Sequence, residues 1–385
     1  MERVYAVKGL EAFCISDLRG LKEIQPLWEE LATHPSVDPG IRMWEFEQRD
    51  LSPCVIVVKN RGRVQGMAIG YIKETRLDIK LRYWTVARPK ARLIAILDRG
   101  VIAHEDGVHE AIVRALFELL SGGIADYCHL ACIDRDSPLR AVIMSDLIPP
   151  QLKDTRGALE PRWVLEVPGT YEEFIRTRSR NTRENIRRDE RKLRNFSNDV
   201  MVSFQIGNGR GGGDLYEDVR RVFDKTYQCK LGLGLLSSPH AEMVWRKLSS
   251  LGRLVGAVTY LGGVPVSFAY AHIYKSTASF GTPGYLPQYS FLKVGNYSIL
   301  RLIEALCGTG VRELDYGLGY SQYKETFGTR YSLEGHIRLF APTRRAKRLR
   351  ALISTVKRIE SALDRSVEAL GVKRRLRRYL KRGKS

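Results

Sequence analysis

Three strand-like runs follow one another over Leu254–Leu261, Val264–Ile273 and Thr277–Thr282. Gly262-Gly263 separates the first two, the composition of a tight hairpin turn. A loop over 283–293 leads to an apolar helix at Val294–Leu306 and another strand at Arg312–Tyr316. Strands alternating with helices in this way argue for an α/β architecture.

The first half has the same character. Leu21–Leu31 has helical spacing, Cys54–Lys59 and Val64–Ile72 form a hairpin around Gly62, and Leu81–Val86 reads as a third strand. Val108–Leu120 is an amphipathic helix and Tyr127–Ile133 is again strand-like. Prolines, charge and Gly157 between Pro149 and Pro161 mark a connector. Beyond it, Trp163–Val167 and Val200–Ile206 read as strands around one long charged helix, Tyr171–Phe196. Leu215–Cys229 and His240–Leu251 read as helices, and Gly335–Phe340 as the last strand. The two halves share an element order without an exact repeat. We therefore expect 1–160 as an N-terminal α/β lobe, 161–341 as a second lobe, and 342–385 as a basic amphipathic helical tail.

Charge narrows the partners. The net charge is +20, and residues 342–385 carry 16 Lys+Arg against 3 Asp+Glu. Leu349, Leu352, Ile353, Val356, Ile359 and Leu363 lie at helical spacing there, which suits an anionic membrane surface. The excess also suits nucleic acid or phosphorylated cofactors. No stretch reaches the roughly 18 apolar residues of a membrane span. The six cysteines are scattered, and the C-x3-C pair Cys128 and Cys132 has no second pair, so buried free thiols and no metal site are expected. A cytoplasmic protein follows, with peripheral contact at the inner membrane face as an extension of that reading.

Several segments carry chemistry. The loop Gly207–Gly213 (GNGRGGG) lacks the Lys-Ser/Thr of a P-loop and the dinucleotide fingerprint, so it reads as a flexible connection. At Lys293-Val294-Gly295-Asn296 a helix begins. Its unpaired N–H groups, positive dipole end, close-approach glycine and lysine suit a phosphate, and Asn296 equally suits ordinary capping. In Leu314–Phe327 (LDYGLGYSQYKETF), Asp315 ends an apolar strand, and Tyr320, Ser321, Tyr323 and Lys324 crowd the turn that follows. Asp315 is either a functional carboxylate or a turn cap paired with Lys324. His272, inside AYAHIY, is either catalytic or a buried, hydrogen-bonded histidine. Arg178, Arg180, Arg183 and Arg187 offer forked contacts to phosphate, or pair along a solvated surface with Glu184, Asp189 and Glu190.

Taken in order, these segments resemble a known family. Arg178–Leu193 is similar to the opening helix of the BioF-like/CelD-like acetyltransferase domains of the GNAT superfamily, which are related to Fem-type peptidoglycan-branching transferases. VPVSFAY in the second hairpin resembles the family's G-x-P-V-A hairpin. Gly284-Tyr285-Leu286-Pro287 is similar to its G-Y-D-P turn, with Leu286 in place of the aspartate. Val294-Gly295 stands where Pro-Gly opens a helix. Leu314-Asp315-Tyr316 through Tyr323-Lys324-x-x-Phe327 resembles its F-D-F…Y-K-x-x-F signature. The likeness covers about 171–340.

The resemblance implies a mixed sheet flanked by helices and, by analogy with two-lobed Fem-type proteins, a degenerate GNAT-like lobe before it. It implies acetyl-CoA or another acyl-CoA bound where two strands splay, with its pyrophosphate near Gly295. Asp315, Tyr323, Lys324 and His272 are the candidate catalytic and positioning groups. Lys293, Val294, Gly295 and Asn296 would hold the cofactor, and Arg178, Arg180, Arg183 and Tyr285 the substrate. The expected activity is direct acyl transfer to an amine or hydroxyl of a sugar, polysaccharide precursor or lipid-linked acceptor. Two alternatives stand beside it: aminoacyl-tRNA-dependent transfer, and a non-catalytic nucleic-acid or membrane adaptor on the same scaffold.

Overall fold

The computed structural model describes residues 2–7, 9–49, 51–81, 84–103, 105–155, 157–206, 215–226, 229, 236 and 238–369. The first half runs β1 (Glu2–Val7), β2 (Leu10–Ile15), α1 (Leu18–Leu31), a 3-10 turn (Pro35–Val37), α2 (Pro39–Gln48), β3 (Ser52–Asn60) and β4 (Arg63–Arg76). It continues through β5 (Ile79–Leu81), β6 (Trp84–Ala87), β7 (Lys90–Ala103), α3 (Asp106–Ser121), β8 (Tyr127–Asp134), α4 (Pro138–Met144) and β9 (Lys153–Asp154). The second half runs β10 (Glu160–Glu166), α5 (Tyr171–Thr177), α6 (Arg180–Phe196), β11 (Val200–Ile206), α7 (Tyr216–Phe223), α8 (Pro239–Ser250), β12 (Leu254–Leu261), β13 (Val264–Tyr274) and β14 (Thr277–Phe280). Then come β15 (Gly284–Tyr285), α9 (Val294–Leu306), β16 (Glu313–Leu318), α10 (Gln322–Phe327), β17 (Arg330–Phe340) and α11 (Arg344–Ala369).

One sheet runs through both halves in the order β1-β2-β3-β4-β7-β8-β17-β10-β16-β14-β13-β12-β11. Two neighbouring pairs are parallel, β7 with β8 and β14 with β16. Each follows a helical crossover, α3 in the first half and α9 in the second. The series β2-α1-α2-β3-β4-β7-α3-β8-α4 thus corresponds to β11-α7-α8-β12-β13-β14-α9-β16-α10. The shared element order is a repeat of architecture, a mixed α/β sheet flanked by helices in two lobes.

The halves are also interleaved. β17 pairs with β10 on one side and with β8 of the first half on the other. Helix α11 returns to the first half, where Ala346, Leu349, Ile353 and Val356 are buried in the same apolar core as Ile112, Leu116 and Leu130. The apolar face read as a membrane seat is therefore occupied as far as Val356, because burying it in protein removes it from water equally well. The basic run after Ala369 lies outside the described residues, as does the loop 207–214.

Local chemistry explains other departures from expectation. The single helix 171–196 is two helices. The chain turns extended at Arg178 and Ser179, and Ser179 caps α6 by accepting from Thr182 N–H. Thr170 forms a capping box with Glu173 at the start of α5. The run 81–86 is split between β5 and β6, which pair with each other off the main sheet. Of the run 215–229, the described helix is Tyr216–Phe223. Tyr323 and Lys324 ride on the short helix α10 rather than on a loop.

Candidate active site

β14 and β16 pair in register at Thr277–Glu313, Ala278–Leu314 and Ser279–Asp315, and no pair follows among the described residues. The strands part there. Phe280, Tyr316 and Tyr323 cluster at the edge of the opening, with ring centroids 5.3–5.9 Å apart. Beside them lies a cavity of about 370 Å³ between α6, the start of α9 and α10. Asn185, Arg188, Lys293, Asn296, Tyr297 and Tyr323 are among its lining residues.

Lys293 opens α9 in the left-handed region (φ 57°), and no side chain caps the helix. Its first N–H groups are therefore left for an outside acceptor, at the positive end of the helix dipole. Val294 places its side chain in the core, and its carbonyl accepts from the Ser267 hydroxyl at 2.9 Å. Gly295 packs closely against its neighbour. A Cβ there would lie 2.9 Å from the Tyr285 ring. Tyr285 is thus the neighbour that fits the glycine, half exposed beside the helix start. Burial raises the Tyr323 hydroxyl to about 12, so it stays protonated at neutral pH.

Asp315 occupies a different place. Leu314 and Tyr316 face the α9 side of the sheet, and alternation turns Asp315 to the opposite face. There Arg162 Nε donates to its two oxygens at 3.0 and 2.8 Å, and a second Arg162 nitrogen also donates. Gly317 N–H donates at 2.7 Å and His34 Nε2 lies 2.9 Å away. His34 Nδ1 accepts from Ser36 N–H, which places the ring proton on Nε2 as a donor to Asp315. Burial alone would raise the Asp315 pKa. The His34 hydrogen bond and the Arg162 charge outweigh it and hold the carboxyl well below the usual range. Arg162 also reaches Asp98 and Glu334, and Arg99 pairs with Glu334 at 2.6 Å. The cluster ties β7, β10, β16, β17 and the loop after α1 at the junction of the lobes.

The structure therefore brings Tyr323 together with Lys293 and Asn296, and separates them from Asp315. Lys324 does not pair with Asp315. Its ammonium donates to the Gly317 and Leu318 carbonyls at 3.1 and 2.8 Å, and burial lowers its pKa. His272 lies 3.0 Å from Asp38 and faces the loop before α2. Burial lowers its pKa against the pull of Asp38. Arg178 donates to the Thr326, Phe327 and Gly328 carbonyls, so it clamps the end of α10 and steadies Tyr323. Arg180 makes an exposed pair with Glu184, and Arg183 donates to the Arg176 carbonyl. Sequence reasoning missed Arg162, His34, Asp98 and Glu334. Their signal was a charge set among apolar strand residues, at Asp98, Arg162 and Glu334, since such a charge needs a partner when buried. Asp98, Cys132 and Glu334 offer three ligand atoms within 4.8 Å of one another, but Arg162 already engages both carboxylates.

Residues 180–325 match the family model described as an acetyltransferase (GNAT) domain. This part of the chain is a GNAT-type acyltransferase domain, and the chain is accordingly a transferase. No curated protein sequence matches. Among solved structures, FemX superposes with a TM-score of 0.57 at 12% identity, covering 88% of this chain and 97% of its own. The C-terminal domain of an Agrobacterium fabrum protein assigned as a lysylphosphatidylglycerol synthetase gives 0.50 at 10% identity, covering 88% and 96%. A tandem GNAT protein from the clavulanic acid biosynthesis pathway gives 0.48 at 10% identity, covering 87% and 99%. At these identities the likeness is one of fold.

Proposed function

We propose that the chain transfers an acyl group from acetyl-CoA or another acyl-CoA to an amine or hydroxyl of a sugar, polysaccharide precursor or lipid-linked acceptor. The observation that carries this reading is the uncapped start of α9 opening on the cavity that also holds Tyr323. The N–H groups at Gly295 and Asn296, with Lys293 beside them, suit a pyrophosphate. The opening between β14 and β16 suits the thioester. The acceptor's nitrogen or oxygen attacks the acyl carbon as the C–S bond breaks; the proton the acceptor sheds passes to water, and the proton given to the departing sulfur is replaced from water. Tyr323, protonated at neutral pH, is placed to donate to the departing sulfur. Asp315 acts as a positioning residue. With its oxygens taken up by Arg162, His34 and Gly317, it fixes β16 and the turn that delivers Tyr323. Lys324 holds the same turn by its carbonyls. We assign His272, bonded to Asp38, to positioning the loop before α2. Acyl-CoA supply places the reaction in the cytoplasm.

Among the described residues, the helix of the first half that matches α9 does not suit a phosphate. Glu105 is the N-cap of that helix, α3, and its carboxylate would repel a phosphate.

Aminoacyl-tRNA-dependent transfer is the second reading. The resemblance to Fem-type transferases motivates it, and the basic α6 suits a polyanion. Calorimetry with acetyl-CoA, longer acyl-CoAs and charged tRNA separates the readings. Saturable acyl-CoA binding, abolished by Gly295→Glu, is the expected result. Tight tRNA binding without acyl-CoA binding overturns the donor assignment, and binding to neither leaves the adaptor reading.

A further inference from the structure

A second cavity stands apart from the donor site. It has a volume of about 600 Å³ between α11 and the segment 150–158, and shares no lining residue with the cavity of α6, α9 and α10. Such a volume is in the range of small-molecule sites. Helix α11 supplies one wall through Arg350, Ser354 and Lys357, at i, i+4 and i+7. At about 100° per residue these three point within about 60° of one another, so they share one face, and Arg358 flanks it. Lys153, Asp154 and Thr155 belong to the other wall.

The walls carry more positive charge than the fold uses. Lys357 donates to Asp154 at 2.9 Å, and Arg338 approaches the same carboxylate at 3.7 Å, so this acid is offset twice. Lys153 donates to the carbonyls of Ile143, Met144 and Ser145 at the end of α4. Arg350 donates through one terminal nitrogen to the Pro150 and Lys153 carbonyls, and its Nε is buried without a partner. Arg358 is exposed, and neither arginine meets a carboxylate among the described residues. The Ser354 and Thr155 hydroxyls likewise have no hydrogen-bond partner there. Glu360 is the remaining acid of the lining, on the flank of α11 opposite Arg358.

We infer that this cavity binds a phosphate monoester, with Arg350 and Arg358 facing the phosphate and the Ser354 and Thr155 hydroxyls completing its contacts. A buried N–H without an acceptor is costly, and an anionic oxygen is the partner that guanidinium and hydroxyl groups have in common. The planar guanidinium fork matches phosphate, and a dianion answers two unpaired arginines better than a single carboxylate does. A sugar phosphate and the headgroup of phosphatidic acid present this same chemistry. The two walls come from segments 197 residues apart in sequence, so an occupant ties α11 to the connector between the halves. The site is independent of the donor reading, because a chain that transfers nothing would still bind a phosphate there.

The test is calorimetry of the full chain with glucose 1-phosphate and with glucose, beside cosedimentation with phosphatidylcholine vesicles that contain or lack phosphatidic acid. Ser354→Glu/Arg358→Glu places two carboxylates at the cavity wall. Arg348→Glu/Thr355→Glu makes the same change of charge on the other side of α11, about 140–160° around the helix from Arg350. None of these four side chains has a hydrogen bond or ion pair among the described residues, so unchanged unfolding midpoints are the folding control. The wild type is expected to bind glucose 1-phosphate saturably and not glucose. The cavity variant should lose about tenfold or more in affinity, and the control variant should keep it. The same pattern with phosphatidic-acid vesicles alone supports the site and assigns its phosphate to a lipid headgroup. Binding to neither probe, glucose bound as tightly as its phosphate, or equal losses in the two variants would overturn the assignment.

Discussion

Arg162→Met strips Asp315, Asp98 and Glu334 of the cation they share. The Arg162 side chain is 2% exposed, and those of Asp315 and Glu334 are 5% and 0%. Removing one member of a buried pair costs about 3–5 kcal/mol, because the remaining charge is left without compensation. Asp315 would keep His34 and Gly317 N–H, and Glu334 would keep Arg99 and the Ser332 hydroxyl. Asp98 is 28% exposed and can turn to water. These retained partners place the loss near the lower end, about 3 kcal/mol at pH 7. Such a loss is a large part of a stability of about 5–15 kcal/mol. The pH dependence follows from sign. In the wild type the folded Asp315 pKa is depressed, so its stabilisation is present above the unfolded value of about 3.9 and lost below it. In the variant the Arg162 share of that depression is gone while the His34 bond keeps its own, so the Asp315 carboxyl stands higher against the same burial and protonation relieves it as pH falls. The gap between the proteins should narrow from pH 7 toward pH 4. Urea denaturation followed by tryptophan fluorescence across that range measures it. A loss under about 1 kcal/mol, the scale of a surface pair, or a gap independent of pH, would refute the argument.

Two further outcomes test other parts of the structure. Tyr323→Phe should lower turnover by about a hundredfold with little change in acyl-CoA affinity, and the wild-type rate should show no alkaline loss from this hydroxyl until near its pKa of about 12; retained turnover would remove Tyr323 from proton donation. Ile353→Ala, at a buried position of α11, should cost about 2–5 kcal/mol in unfolding experiments, and a cost near zero would mean that α11 does not complete the first-half core.

The parts of the fold legible in sequence were those with local signals. The β12–β13 hairpin showed itself through Gly262-Gly263, and both glycines adopt positive φ. Helix α9 showed itself through an apolar run and a glycine at its start. The break between α5 and α6 was hidden because both sides of Ser179 are charged and periodic, so the only mark was a serine able to cap. The strands β1, β2 and β7 were missed, as was helix α2. β7 mixes Arg92, Asp98 and Arg99 into its apolar sequence, which obscures its alternation. The junction cluster was illegible for another reason. Arg162 and Asp315 are 153 residues apart, and His34 and Asp315 are 281 apart, and nothing near any of them announces its partner. Strand alternation did contain the fact that Asp315 faces away from Tyr316. Which face held the cavity required the fold.

The place of β17 between β8 and β10 has a consequence for how the protein is made. A nascent chain that has already extruded β8 lacks the strand that covers it until residues 330–340 emerge. At about 5–20 residues per second, that interval is roughly 10–40 s. Throughout it β8 presents an unpaired edge, and the core that α11 later closes stays open to water. The first half cannot finish before the second, so a ribosome that stalls within the second half releases a chain with two incomplete lobes rather than one sound one. Chaperone demand during synthesis should therefore follow the position of β17 along the chain, more than the size of either half.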